Sequence, residues 1–216
     1  MTVEITVTRD LPIEPQIFLA AQSLLNGEVV IFPTETVYGI AADAINEDAL
    51  EHLISMKRRS DNKPLPVMVS DLGMAESLVD LGAARDLARD FWPGPLTLVL
   101  PAKAILSDVC MKDNMIGIRC PNHPIAQALL NIIHIPLAVT SANISNQPPA
   151  TTATEARRQF VNMDIAFRIL QPEPTQGKPT TVLKIEPLKW TVLRQGPISV
   201  DTIRGYLPAG VSLETP

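Results

Sequence analysis

The stretch IGIRCPNHPIAQALLNIIHIPLAVT (116–140) decides the fold class. Ile116–Arg119 and Pro136–Thr140 read as strands. Between them, Pro124–Ile133 reads as a helix with proline in its first turn, where a missing N–H costs nothing. Strand, helix and strand in that order predict a βαβ unit and therefore an α/β domain.

Working outward, the same two periods recur. Upstream, Pro15 to Asn26 places Ile17, Ala20, Ala21, Leu24 and Leu25 on one helical face, with Gly27 as the stop. Val29–Phe32 is a short apolar strand ended by Pro33. Asp48–Met56 repeats the helical pattern and delivers Lys57 at its C-terminal end. Strands are expected at Pro66–Val69 and Leu96–Leu100, and two short helices, split near Gly82, between Leu72 and Phe91. Downstream, a helix over Glu155–Phe160 precedes strands at Ala166–Leu170, Thr181–Ile185 and Val192–Leu193. Ser199 can then cap a last short helix through Arg204. QPEPTQGKPT (171–180) is the clearest loop, and Leu207–Pro216 reads as a tail. No composition break demands a boundary, so the expectation is one α/β domain with a mixed sheet.

Composition excludes several classes. At 216 residues the chain can bury a core without disulfide or metal staples. No apolar run approaches the ~20 residues of a membrane span. The start, MTVEITVTRD, lacks the basic and apolar regions of a signal peptide, so a cytoplasmic protein without membrane contact is expected. Cys110 and Cys120 form no metal spacing with His52, His123 or His134. The net charge of −5 and pI of about 5.2 argue against a surface devoted to nucleic acid.

Against that acidic background, residues 57–63 read KRRSDNK, four cations in seven positions. Such a knot suits a polyanion such as a triphosphate, although a helix C-terminus also favours cations. Glycine-rich phosphate cradles are missing: there is no GxGxxG, and Gly177-Lys178 is flanked by prolines that a P-loop would not tolerate. PTETVYG (33–39) follows a strand and sets hydroxyls and Glu35 at a sheet edge. Arg119 ends a strand just before a helix N-terminus, where a cation and free amides suit a carboxylate or phosphate. SANIS (141–145) follows another strand, Thr180-Thr181 opens one and Arg194 ends one. Each segment alone also fits an ordinary turn or cap. Trp92-Pro93-Gly94-Pro95 reads as a rigid turn that packs an aromatic against the core.

In order, FPTETVYG (32–39), KRRSDNKPL (57–65), FWPGPLTLVL (91–100), GIRCPNHP (117–124), TSANISNQPP (140–149), PTTVL (179–183) and LRQGPIS (193–199) resemble the YrdC-like family. The resemblance implies a single YrdC-like domain, placed at 9–207 with a tail at 208–216. Its fold would be a twisted mixed sheet flanked by helices, with a concave basic cleft. It also implies an L-threonylcarbamoyladenylate synthase, which joins L-threonine, bicarbonate or CO2, and ATP into threonylcarbamoyl-AMP, releasing pyrophosphate. Mg²⁺ would accompany the ATP, and a downstream complex would transfer the threonylcarbamoyl group to tRNA.

Carried over by position, Lys57, Arg59 and Lys63 would grip the triphosphate, Lys57 and Arg59 acting in catalysis. Ser141, Asn143 and Arg194 would position the nucleotide. Thr36, Arg119 and Thr180 would line the threonine pocket. No residue is expected as a metal ligand or catalytic base. The chain departs from the family pattern at Met68, where a pocket histidine is common, and at Thr180, where serine is usual. Lys184 replaces an acidic residue, and LQPEP (170–174) stands in for a glycine-rich stretch, which leaves the amino-acid preference open. Two other readings use the same segments: an RNA-binding or ribosome-associated module with weak RNA affinity, and a relative acting on another amine.

Overall fold

The computed structural model describes residues 2–8, 10–57 and 63–215. Among them a single sheet is built from β1 (Val3–Thr6), β2 (Val30–Pro33), β3 (Tyr38–Asp43), β4 (Val67–Met68), β5 (Leu96–Pro101), β6 (Met111–Lys112), β7 (Met115–Arg119), β8 (Leu137–Ser141), β9 (Phe167–Leu170), β10 (Thr181–Glu186), β11 (Lys189–Arg194) and β12 (Ser212–Glu214). Its order is β1-β9-β2-β3-β8-β4-β7-β5-β10-β11-β12, with β6 paired to β7. Parallel and antiparallel pairs mix along the sheet, as expected. Helices α1 (Ile13–Leu25), α2 (Glu47–Lys57), α3 (Leu72–Leu78), α4 (Arg85–Phe91), α5 (Pro124–Ile133), α6 (Ala153–Gln159) and α7 (Val200–Arg204) flank it.

The segment 116–140 forms strand, helix and strand, but not a parallel crossover. Strand β4 runs parallel to β7 and antiparallel to β8, so β7 and β8 oppose each other with β4 between them. Arg119 at the end of β7 and Leu137 at the start of β8 are both in register with Met68. The connection through α5 therefore leaves and re-enters the sheet at one level, and no full-length crossover is needed.

Strand alternation divides the core into two layers. Ile31, Ile40, Val67, Leu98, Ile118 and Leu183 point into the larger layer, which also holds buried side chains of α2, α4 and α6. Phe32, Ala41, Met68, Leu137 and Val139 point to the opposite face, into a smaller layer shared with α1 and α5. That smaller layer ends before β5 and β10. On the same face Val99, Val182 and Lys184 are only partly buried, so this half of the sheet is left with less cover. Arg119, Thr97 and Thr180 alternate onto this half-face.

Local signals work where expected. Trp92 packs in the larger layer and donates its indole N–H to Leu96 O at 2.8 Å. Thr152 and Glu155 form a reciprocal capping box at α6, and Ser199 caps α7. The ends of the chain differ from the expectation. Residues 3–6 pair with β9, and the stretch 208–216, expected as a tail, carries β12, which pairs with β11 and sets the partly buried Leu213 in register with Trp190. Among the described residues no helix is long and apolar enough to cross a membrane.

Candidate functional site

The PTETVYG segment forms a tight turn between β2 and β3. Thr34 Oγ1 gives its only hydrogen to Val37 O at 2.7 Å, so in the 2.9 Å contact with Thr36 Oγ1 it must accept. Thr36, buried beneath the strap at 175–177, is therefore left with acceptor lone pairs on its hydroxyl. The strap is tied to the turn by Gln176 N to Glu35 O and Gly177 N to Thr36 O, at 3.1 and 2.8 Å.

Glu35 faces Arg119. Arg119 Nη2 stands 2.7 Å from Glu35 Oε1, with side-chain exposures of 7% and 11%. The N–H is not aimed at that oxygen, so the contact is one of charge rather than a hydrogen bond. Glu35 Oε1 instead accepts from Asn122 N at 3.2 Å. Arg119 Nε and Nη2 and Glu35 Oε2 are buried with no hydrogen-bond partner among the described residues. Side-by-side orphans of opposite sign are costly unless a ligand or water completes them.

Thr180 joins this group through Arg194. Arg194 donates from Nε to Thr180 O at 2.9 Å and from Nη2 to Thr180 Oγ1 at 2.8 Å. Thr180 Oγ1 is also 2.9 Å from Thr97 Oγ1. Thr97 was not foreseen, although alternation in LTLVL sets it opposite Leu96 and Leu98. Arg194 was expected on the nucleotide side, yet its bonds put it beside the Arg119 group. Burial of its guanidinium, and then the nearby charge of Arg119, lower its pKa. A mobile anion placed between the two guanidiniums would relieve that repulsion.

A second group forms around Lys57. Lys57 is 3% exposed, and its ammonium donates to Ser141 O and Asn143 O at 2.6 Å each and to Asn143 Oδ1 at 2.9 Å. Ser145 returns the link by donating from Oγ to Lys57 O at 2.9 Å. Lys57 thus braces the SANIS turn from below, where a free cation in the cleft was expected. Ser141 and Asn143 are brought together by a 2.5 Å bond from Ser141 Oγ to Asn143 Oδ1. The two groups are joined through β3, where Ala142 N donates to Tyr38 O at 2.7 Å. Lys63 is exposed just before β4, and Arg59 lies outside the described residues. Met68 packs in the α1–α5 layer and is the register partner of Arg119 across β4 and β7.

A cavity of about 440 Å³ adjoins the site. Its wall includes Thr34, Glu35, His123, Ile125, Gln171 and Thr175, but not Thr36, Arg119 or Thr180. His123 Nε2 lies 2.9 Å from Gln171 Oε1, and Gln171 Nε2 donates to Glu173 O, so the imidazole must carry its proton on Nε2. Burial pushes the His123 pKa down, with the Gln171 bond opposing. The Cys120 thiol, beside this region, is pushed up to about 11, chiefly by burial, which favours the protonated form. Among the described residues no group of three or more His, Cys, Asp or Glu could hold a metal.

The sequence and the fold are similar to those of known proteins. The sequence model of the Sua5/YciO/YrdC family, described as "Telomere recombination", matches residues 22–196. The chain belongs to the Sua5/YciO/YrdC family. It is similar to a threonylcarbamoyl-AMP synthase of Bacillus subtilis, at 38% identity over 90% of this chain and 57% of that protein. It is also similar to one from Methylococcus capsulatus, at 40% identity over 69% of this chain and 82% of that protein. Among solved structures, Sua5 of P. abyssi complexed with L-threonine superposes with a TM-score of 0.88 at 30% identity, covering 99% of this chain and 62% of that one. The chain thus spans less than two thirds of the longer family members. As a member of the family, it has its half-covered sheet face and strand-end polar groups in a fold that in P. abyssi accompanies an amino acid.

Proposed function

We propose that the chain is an L-threonylcarbamoyladenylate synthase, a nucleotidyltransferase forming threonylcarbamoyl-AMP from L-threonine, bicarbonate or CO2, and ATP. The observation that carries this reading is the buried Arg119, whose Nε and Nη2 lack hydrogen-bond partners and whose charge reaches Arg194, the residue that holds Thr180. A planar, permanently charged fork is what a substrate carboxylate requires. Thr36, with only lone pairs to offer, would accept a hydrogen bond from the substrate. Thr180, held by Arg194 and Thr97, would meet it from the other wall.

The chemistry asks for position more than for a base. The amine of threonine adds to the carbon of CO2, forming a C–N bond and releasing a proton, to give a carbamate. A carbamate oxygen then attacks the α-phosphorus of ATP. That O–P bond forms as the bond to the β-phosphate oxygen breaks, and pyrophosphate leaves with the electron pair. Fixed cations that spread the phosphate charge, and a shielded pocket that aligns the two reactants, supply the acceleration.

On the nucleotide side, the Ser141–Asn143 turn would contact ATP, with Lys57 setting its shape and supplying charge from beneath. Arg59 and Lys63 would meet the triphosphate. The described residues offer no three-ligand set for a metal, so Mg²⁺ would enter on the phosphates with its own waters. The product would be consumed by a group-transfer reaction onto tRNA.

The test is pyrophosphate release from ATP and Mg²⁺, omitting L-threonine or bicarbonate in turn, with mass analysis of the nucleotide product. Release that needs both, with the mass of threonylcarbamoyl-AMP, is expected. Release indifferent to threonine but responsive to another amine would overturn the substrate assignment. No release at all would overturn the enzyme.

A further inference from the structure

Glu35 is the anion in ion-pair contact with Arg119. Its two oxygens are unlike. Oε1 lies 2.7 Å from Arg119 Nη2 and accepts from Asn122 N, while Oε2 is buried with no partner. Next to it, Arg119 Nε and Nη2 also lack hydrogen-bond partners. A carboxylate oxygen without a hydrogen-bond partner thus sits beside a guanidinium whose Nε lacks one and whose Nη2 meets only the other oxygen of the same carboxylate.

That pattern is complementary to one chemical group. In an α-amino acid the carboxylate and the ammonium share a carbon, so a carboxylate seated on Arg119 carries an ammonium within reach of an acceptor beside it. A pocket with guanidinium groups alone would take any small carboxylate, including hydroxy acids, keto acids and bicarbonate. A carboxylate set against the arginine rejects these by leaving its own charge unpaired, which is discrimination by an unmet group as much as by a met one. Neither Thr36, Thr97 nor Thr180 brings a charge that could do this.

We propose that Glu35 binds the α-ammonium of the substrate through Oε2, and so selects amino acids over other small carboxylic acids. The proposal rests on the reading of this pocket as the threonine site. It differs from a purely positioning role, in which Glu35 would act only by holding Arg119.

The two are separated by a cycle that changes protein and ligand together. Titration calorimetry, with ATP present, would measure L-threonine and 2,3-dihydroxybutanoate, which replaces the ammonium by a hydroxyl. The proteins would be wild type and Glu35→Gln, whose amide keeps the shape and the acceptor for Asn122. A charge-assisted hydrogen bond gives a preference for threonine of about tenfold to a hundredfold in the wild type. Glu35→Gln should abolish most of it, mainly by weakening threonine. If the variant weakens both ligands equally and keeps the preference, Glu35 only positions Arg119 and the proposal is overturned. If wild type binds neither ligand while still binding ATP, the threonine reading itself fails and takes this proposal with it. Should Glu35→Gln fail to fold, Glu35→Asp carries the test. The shorter carboxylate keeps its charge near Arg119 but falls short of the ammonium, so a reduced preference is then expected, and an unchanged preference at lower affinity overturns the proposal.

Discussion

Lys57→Met asks whether the buried lysine is a brace or a free cation. Methionine keeps the apolar stem and deletes the ammonium, with its three short bonds to the 141–143 turn. The acceptors do not suffer equally. Ser141 O keeps Asn143 N at 2.9 Å, and Asn143 Oδ1 keeps Ser141 Oγ. Asn143 O is left with no donor among the described residues. Bonds to a charged group are worth about 1.5–3 kcal/mol each, and one orphaned acceptor costs about 1–3 kcal/mol. These are not additive and the retained partners share the load, so the expected loss is about 2–4 kcal/mol. For a chain of this size that lowers Tm by roughly 4–16 °C. The assay is thermal unfolding by calorimetry, with ATP affinity measured well below the lower Tm. Both should fall, since the turn proposed to hold the nucleotide loses its support. A variant that melts with wild type but no longer binds ATP would refute the brace and restore Lys57 as a free grip on the triphosphate.

Other perturbations read other parts of the site. A Cβ on Gly196 would lie 2.3 Å from Thr181 N and 2.4 Å from Thr180 C, both backbone atoms. Gly196→Ala should therefore cost at least about 1–3 kcal/mol and pull Arg194 from Thr180, and a wild-type Tm with normal turnover would refute that packing. Arg119→Ala should raise the threonine requirement and strand the Glu35 charge, costing about 3–5 kcal/mol; Tm measured beside threonine affinity checks both halves. His123 titrates below its ordinary value because of burial, with Gln171 and Glu35 opposing and Arg119 reinforcing. The unfolded chain then takes up the proton first, so the stability His123 contributes is present above about pH 6.5 and drains as pH falls below it. His123→Gln should flatten the dependence of Tm on pH between roughly 7 and 5, and parallel curves would refute the assignment.

Much of the fold was legible because periodicity carries it. Pro124–Ile133 is helical over the expected residues, and the Leu96–Leu100 strand is observed with one more residue. Strand β3 was missed because YGIAAD is short on β-branched residues. Its small side chains are there for close packing, since a Cβ on Gly39 would meet Val139 Cγ1 at 2.9 Å. The sense of β7 against β8 could not be read from 116–140, because it is set by β4, two residues drawn from another part of the chain. At the site, strand ends and turns marked Thr36, Arg119, Thr180 and the SANIS turn. Side-chain direction was not marked. Arg194 reaches Thr180 through a register shift at Val182/Leu183, and Lys57 turns inward, two choices that no local pattern encodes.

The uneven cover of the sheet explains why the site lies where it does. Helices α1 and α5 pack against each other over β2, β3 and β9, and they seal one face as far as β8 and β4. Beyond them the same face continues across β7, β5 and β10, where alternation delivers Arg119, Thr97 and Thr180 instead of leucine. Because β7 and β8 oppose each other, α5 stays on one side and Arg119 comes to the edge of its cover. There the guanidinium is buried, and a carboxylate seated on it, as proposed, would meet its charge with little screening by water. On this account the antiparallel pairing is a condition for the pocket, and the position of α5 matters to it as much as the residues that line it.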